Sequence, residues 1–178
     1  RSLAECRDHT NLRGIMHLTA DASFPPSYQD IGAWLGQGQL AITLLPDEET
    51  GMQPYQGLVA LDQADLAKCL EDYFERSEQL ATRLFFAGGT EQGADQRVTG
   101  LLLQRLPNHP DASDAERDAA QDAWETLTAL AATVTDAELA TLDAPTLLHR
   151  LFHECLCTLQ PAKARHYPCT CSPDRTDS

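Results

Sequence analysis

The pattern of apolar residues changes at Pro107, and this change restricts the folds open to the chain. Upstream of Pro107, short apolar segments alternate with stretches rich in Gly, Pro and Asp, which is typical of β-hairpins. Downstream, capping motifs precede apolar residues spaced three and four apart, which indicates helices in succession. Strands followed by helices, rather than alternating with them, predict an α+β fold.

The upstream part is predicted to contain a sheet built from hairpins. Strand candidates lie at residues 12–19, 39–45, 55–61, 82–87 and 97–106, and a short helix is expected at 27–35. Turn-rich stretches join the second strand to the third and the fourth to the fifth, so we expect a hairpin at each of these places. The run from Leu101 to Leu103 is interpreted as a buried strand centre rather than a binding patch.

One helix between the two hairpins is predicted to cover the sheet. Asp62 is the expected N-cap, and apolar residues recur at helical spacing after it: Leu66, Cys69, Leu70, Tyr73 and Phe74. On this apolar stripe, Cys69 is expected to be a buried and inert thiol.

A helical subdomain is predicted for about residues 107–154. Ser113 with Glu116 and Thr135 with Glu138 form capping boxes, and Pro145 suits a first helical turn. The first and last helices each have an apolar face: Ala120, Trp124, Leu127, Ala131 and Val134 in the first, and Leu147, Leu148, Leu151 and Phe152 in the last. We therefore expect three helices after the hairpins.

Composition and charge exclude several classes of protein. With 178 residues and 42% hydrophobic content, the chain can bury a core of ordinary size without disulfides. Thirteen basic residues against 27 acidic ones give a net charge of -14, which repels nucleic-acid phosphates and anionic lipid. Apolar runs are too short to span a bilayer, and residues 1–10 do not resemble a signal peptide. We expect no nucleic-acid partner, no membrane partner and a cytoplasmic location.

Two of the six cysteines, Cys155 and Cys157, lie close together. Segment 154–159 alternates like a strand, so ordinary strand packing is the prediction for them, with a metal or redox role as the alternative. His149 and His153 are four residues apart on the last predicted helix. Because no third ligand completes a metal-binding spacing, we expect a solvated or capping role for these two histidines.

A second Cys-x-Cys, Cys169-Thr170-Cys171, lies near the end of the sequence. Two thiolates this close can face one soft cation, which provides half of a tetrahedral zinc site. Residues 161–168 have no apolar period and are predicted to be a linker. The predicted domains are therefore a core at 1–160, this linker, and the start of a truncated redox or zinc module at 169–178.

The run from Cys69 to Phe85 reads Cys-Leu-Glu-Asp-Tyr-Phe-Glu-Arg-Ser-Glu-Gln-Leu-Ala-Thr-Arg-Leu-Phe. It resembles the 33-kDa heat-shock protein family of redox-regulated holdase chaperones, whose members carry a very similar Leu-Glu-Asp-Tyr-Phe-x-Arg-Ser-Glu-Gln-Leu stretch. Further similar stretches lie in the expected order at residues 12–14, 38–43, 55–57, 100–104 and 148–154. The resemblance therefore covers most of the chain.

In that family a zinc domain begins with Cys-x-Cys-Ser-x-x-Arg, which the residues from Cys169 to Arg175 match at every fixed position. The resemblance implies that Cys169 and Cys171 bind zinc in the full-length reduced protein and pair with each other in a disulfide on oxidation. The family's later Cys-x-x-Cys does not occur in this sequence. The chain is accordingly interpreted as truncated at both ends, and we expect it to lack zinc by itself.

The resemblance further implies an ATP-independent chaperone that is not an enzyme. Such a holdase binds unfolded client proteins and prevents their aggregation under oxidative stress, and loss of zinc on oxidation exposes its apolar surface. A homodimer is implied for the active form.

Two other functions are compatible with the cysteine pattern. The first is a thiol-disulfide oxidoreductase that uses Cys169 and Cys171 as its redox pair, although such enzymes typically carry Cys-x-x-Cys at a helix start and this chain has no such motif. The second is a structural zinc-binding interaction module.

Overall fold

The computed structural model describes residues 2–7, 11–17, 36, 38–46, 53–63, 65–88 and 98–165. The chain divides into two compact units, one of residues 1–24 with 158–178 and the other of residues 25–157. The helix predicted at 27–35 lies outside the described residues.

The unit that contains the first residues has a hairpin in which β1 (Ser2–Arg7) pairs antiparallel with β2 (Asn11–Met16). The strand predicted at 12–19 is confirmed as β2, although it ends at Met16. β1 is not predicted from the sequence, because neither of its two faces is uniformly apolar. Glu5 and Arg13 lie opposite each other, and their ion pair of 2.6 Å supports the register of the hairpin.

The larger unit contains the second hairpin, formed by β3 (Gln39–Leu44) and β4 (Tyr55–Ala60). The two strands are antiparallel, with Ile42 opposite Gly57. This confirms the first of the two predicted hairpins.

Helix α1 (Leu66–Ser77) packs on β4. Its N-cap is Asp65, whose carboxylate accepts a hydrogen bond from the Lys68 backbone N–H at 2.8 Å. The prediction of Asp62 as the N-cap is wrong. Asp62 lies too far upstream to reach the first turn of the helix, and its carboxylate accepts a hydrogen bond from the Gln63 side chain instead.

α1 and the second hairpin enclose a small apolar core. Its buried members are Val59, Cys69 and Tyr73, and four partly buried residues pack around them: Leu40, Ile42, Leu61 and Phe74. Cys69 is fully buried, which confirms the environment predicted for a thiol on the apolar stripe.

β5 (Thr82–Gly88) and β6 (Val98–Gln104) form the third hairpin, which confirms the second predicted one with slightly different strand ends. Leu101 and Leu103 pack against a core, whereas Leu102 between them is 53% exposed. The prediction of a wholly buried run is therefore wrong at Leu102, because adjacent residues of a strand point to opposite faces.

Three helices follow the third hairpin: α2 (Asp114–Ala131), α3 (Asp136–Thr141) and α4 (Ala144–Phe152). Both predicted capping boxes are present, at the starts of α2 and α3, and Pro145 lies in the first turn of α4. Because α2 ends at Ala131, Val134 lies in the turn after the helix and not on its apolar face as predicted.

The helices and the third hairpin share a second and larger core. Its buried members come from β5 and all three helices: Ala87, Ala131, Leu139, Leu147, Leu151 and Phe152. α3 contacts both β5 and β6, and α2 contacts α4.

The described strands thus form three two-stranded antiparallel sheets. α1 contacts both β4 and β5, so it lies between the second and third hairpins. The predicted α+β fold, with hairpins, a covering helix and following helices, is confirmed, while the linker and module bounds at 160 and 168 remain predictions.

Candidate functional site

The residues predicted to form the redox and metal site, Cys169 and Cys171, lie outside the described residues. Their zinc and disulfide roles therefore remain predictions. Three other features that bear on function are described. The first is segment 69–85, here called the α1–β5 joint. The others are the exposed apolar side chains of the hairpins and the Cys155–Cys157 pair.

Within the α1–β5 joint, Glu71 connects the helix to the strand. Its side chain is only 9% exposed, and its Oε1 accepts a hydrogen bond from the Leu84 backbone N–H at 2.9 Å. Its Oε2 lies 2.8 Å from Lys68 Nζ and 3.8 Å from a guanidinium nitrogen of Arg83. Two cations and one amide thus compensate a carboxylate that would be costly to bury alone.

Tyr73 connects α1 to β4 and to the residue that follows the helix. Its hydroxyl donates a hydrogen bond to Glu78 Oε1 at 2.7 Å. Its ring lies over Gly57, where a Cβ atom would come within 2.4 Å of ring atom Cε2, so only glycine fits there without a shift of the ring. Burial, followed by the hydrogen bond and charge of Glu78, raises the pKa of Tyr73 to about 12. The phenol therefore stays neutral and acts as a structural group.

The turn from α1 into β5 is determined by main-chain contacts. Gln79 has a left-handed backbone with φ of 56°, which few residues other than glycine adopt. The N–H groups of Glu78 and Leu80 both donate to the Phe74 carbonyl, at 3.2 and 2.9 Å. The segment that carries the family resemblance thus orients the second and third hairpins relative to each other.

Large apolar side chains are exposed on the second and third hairpins. Leu58 of β4 is 60% exposed, and Val98 of β6 is 79% exposed. Val98, Gly100 and Leu102 share one face of β6, because alternate residues of a strand point the same way. Residue type does not distinguish this exposed row from the buried one, because Leu101 and Leu102 are both leucine and point to opposite faces.

The first hairpin, which belongs to the other unit, also has a face with exposed apolar side chains. Leu3 and Ile15 lie directly opposite each other, and both are exposed. The Glu5–Arg13 ion pair lies on the same face, two residues along each strand. Charged groups thus border exposed apolar side chains, as they do on many surfaces that contact other molecules.

Cys155 and Cys157 follow α4 directly. The strand predicted at 154–159 is wrong, because the chain turns at the end of α4 and continues as an irregular segment with which none of the described strands pairs. The Cys155 N–H donates to the Phe152 carbonyl at 2.9 Å. Cys155 packs partly against the larger core, whereas Leu156 is fully exposed and Cys157 is exposed.

His149 and His153 are exposed on and just after α4. Their rings stack with centroids 6.0 Å apart, and His153 is the C-cap of the helix, which confirms the solvated or capping role predicted for them. Over the residues whose positions are described, no three side chains of His, Cys, Asp or Glu are placed to hold one metal ion.

Comparison with known proteins identifies one family. The family model described as "Hsp33 protein" matches residues 1–178. The 33 kDa chaperonin of Ectopseudomonas mendocina is 40% identical over 176 residues, and that of Haemophilus influenzae is 43% identical over 177 residues. Each alignment covers 99% of this chain but 55% of the relative. The chain therefore spans about half the length of the curated relatives it matches.

A solved structure has the same fold. The crystal structure of the 33 kDa chaperonin from Thermotoga maritima, a heat shock protein 33 homologue, matches with a TM-score of 0.65 and 20% sequence identity. The match covers 98% of this chain and 57% of that one. In the described part of the chain, no helix has the length and apolar character needed to cross a bilayer.

Proposed function

Because this chain belongs to the Hsp33 family, we propose that it is the core part of a redox-regulated, ATP-independent chaperone that holds unfolded proteins and prevents their aggregation. The observation that carries the proposal is the family match over residues 1–178. The exposed apolar side chains of the hairpins supply a physical basis for client binding. By the same family resemblance, the proposed active form is a homodimer.

The hairpin surfaces suit the binding of unfolded chains. Unfolded clients expose apolar side chains, and burial of these against Leu58, Val98 and Leu102 is favourable without a specific client sequence. A net charge of -14 keeps protein molecules with exposed apolar surface apart by mutual repulsion. Binding of this kind needs no nucleotide, in agreement with a holdase.

Cys169 and Cys171 are the proposed redox residues. Their two thiols fit half of a tetrahedral zinc site, and zinc bound there would keep both sulfurs deprotonated and close together. Oxidation by a peroxide converts one thiol to a sulfenic acid, and attack by the other thiol expels water and forms a disulfide. Formation of this disulfide is the proposed signal that regulates client binding.

Light scattering tests the chaperone proposal. A chemically unfolded client is diluted into buffer without ATP, together with this protein, before or after treatment of the protein with peroxide. We expect this protein to suppress scattering in both cases. Scattering equal to that of the client alone in both cases would contradict the proposal.

Matched variants test whether the hairpin surfaces bind the client. Leu58→Ser and Leu102→Ser each remove an exposed apolar side chain from a hairpin, whereas Leu156→Ser removes an exposed leucine that lies outside the hairpins. We expect the first two variants to need several-fold more protein for the same suppression, because each loses apolar contact area with the client. The third variant should match the unaltered protein.

A double variant separates the chaperone from the oxidoreductase. Replacement of Cys169 and Cys171 by Ser should abolish any effect of peroxide on client binding but retain suppression of aggregation. Reduction of insulin by the unaltered protein in the presence of a dithiol, and its loss in the double variant, would favour the thiol-disulfide oxidoreductase instead.

A further inference from the structure

In the described residues, the Cys155–Cys157 pair is a cluster of nucleophilic side chains that the proposed function does not use. Both thiols are free. The Cys155 N–H and the Cys157 Sγ lie 2.9 and 4.0 Å from the same Phe152 carbonyl oxygen. The segment after α4 therefore places the Cys155 backbone N–H and the Cys157 sulfur around the same carbonyl oxygen.

The two thiols differ in their access to solvent. Cys157 is exposed, while Cys155 is partly buried against the core cluster that contains Leu151 and Phe152. An oxidant in solution therefore reaches Cys157 first. Cys155 is the shielded neighbour that can attack the oxidised sulfur afterwards.

The spacing of the pair permits a disulfide. Two Cα–Cα steps of about 3.8 Å place the Cα atoms of residues i and i+2 roughly 5–7 Å apart, which overlaps the range of roughly 4.4–6.8 Å that disulfides span. So short a ring is strained, which makes its disulfide easy to reduce. His149 and His153 are nearby in sequence, but no three of these four side chains gather around one point that could hold a metal. The arrangement thus favours thiol oxidation over metal binding.

We propose that Cys155 and Cys157 form a second, reversible redox pair that peroxides oxidise and dithiols reduce. In the first step, the Cys157 sulfur attacks one oxygen of the peroxide, the O–O bond breaks, the other oxygen leaves as water or an alcohol, and Cys157 becomes a sulfenic acid. In the second step, the Cys155 sulfur attacks that of Cys157, the S–O bond breaks and water leaves with the thiol proton. Two electrons pass from the pair to the peroxide, and exchange with a dithiol returns them.

Peptide mass analysis of the full chain tests this pair apart from Cys169 and Cys171. Tryptic cleavage after Lys and Arg places Cys155 and Cys157 alone on residues 151–163 and the other two on residues 166–175. The native protein is treated with hydrogen peroxide, remaining thiols are alkylated, and the digest is measured without reductant. We expect peptide 151–163 to carry no alkyl group and to be lighter by two hydrogen atoms than the same peptide with two free thiols. Treatment with dithiothreitol before alkylation should reverse this change.

Two other cysteines serve as internal controls. Cys6 is exposed and lies alone on peptide 2–7, whereas Cys69 is fully buried and lies alone on peptide 69–76. Cys69 should be alkylated only after denaturation, because neither peroxide nor the alkylating agent reaches it in the folded protein. Cys6 reports how far an exposed single thiol reacts at the same peroxide dose.

Single variants test the order of the two steps. Cys155→Ser should leave a sulfenic acid on Cys157 that dimedone traps, because the attacking thiol is gone. Cys157→Ser should leave Cys155 mostly reduced, because the core shields it. The proposal is overturned if peptide 151–163 stays fully alkylated at a peroxide dose that oxidises Cys6, or if the Cys155→Ser protein forms no dimedone adduct. None of these readouts depends on chaperone activity, so failure here leaves the proposed function untouched.

Discussion

The α1–β5 joint and the three following helices differ in the burial of the side chains that form their hydrogen bonds. In the joint, the buried side chains of Glu71, Tyr73 and Thr82 make hydrogen bonds, and the Glu71 bond joins α1 to β5. In the helical part, each N-cap is an exposed side chain that bonds a backbone N–H three residues away. The difference shows that a buried carboxylate joins separate elements in the joint, whereas the N-cap side chains of the helical part bond within their own helices.

The largest expected effect comes from removal of the buried carboxylate. Glu71→Ala leaves the Leu84 N–H without its acceptor and two cations without their partner, so we expect a loss of about 3 kcal/mol in the free energy of unfolding. Urea denaturation measures it as a lower midpoint with unchanged slope. Glu71→Gln, which retains an acceptor, should lose less, and Glu75→Ala on the exposed side of the same helix should lose almost nothing. Equal losses of stability for all three variants would contradict the role given to the buried carboxylate in joining α1 to β5.

A smaller effect is expected at the caps. Ser113→Ala removes the acceptor for the Glu116 N–H at the start of α2 and should cost about 1 kcal/mol. The same urea titration measures this loss, and Ser113→Asp, which restores an acceptor, should recover most of it. A loss of stability as large as that of Glu71→Ala would show that the caps also stabilise contacts between separate elements.

The two regions should also respond to pH, one at the alkaline and the other at the acidic end of the scale. The pKa of Tyr73 is raised from 10.0 to about 12, chiefly by burial and then by Glu78. The folded state therefore favours the neutral phenol, and this contribution to stability is present below pH 10 and is lost as the pH rises toward 12. Tyr73→Phe should remove this alkaline component from the pH dependence of the urea midpoint.

At acidic pH the relevant groups are the glutamates of the two capping boxes. Hydrogen bonds from the backbone N–H and hydroxyl of Ser113 lower the pKa of Glu116 below 4.5, and Thr135 does the same for Glu138. This contribution is present above pH 4.5 and is lost as the pH falls through the lowered pKa values. Far-ultraviolet circular dichroism should show the acid-side loss of helix, and Glu116→Gln with Glu138→Gln should weaken its pH dependence.

Local patterns in the sequence predict much of this fold. Both capping boxes are confirmed because every atom of a capping box lies within four residues, so the motif itself defines the structure. The second and third hairpins are confirmed because their strands are apolar and turn-rich stretches join them. The apolar stripe of α1 is confirmed for the same reason, since its spacing matches the helical period.

Features that depend on tertiary contacts are not predictable in this way. Asp62 and Asp65 both precede the apolar stripe, and only the actual path of the chain places Asp65 at the N-cap. Segment 154–159 alternates like a strand but pairs with none of the described strands. The burial of Glu71 depends on a cation and an amide of β5, which local sequence does not reveal. For Cys169 and Cys171, the sequence resemblance remains the basis of the predicted site.

The position of Glu71 also affects how β5 can associate with other chains. In a two-stranded sheet, each strand has an outer row of backbone groups that can pair with a strand from another molecule. The Leu84 N–H of β5 is already bonded to the Glu71 carboxylate. A foreign strand would have to displace a charged acceptor held by a helix in order to pair there. One buried carboxylate therefore hinders the pairing of a foreign strand with the outer edge of β5, in a protein that exposes many leucines.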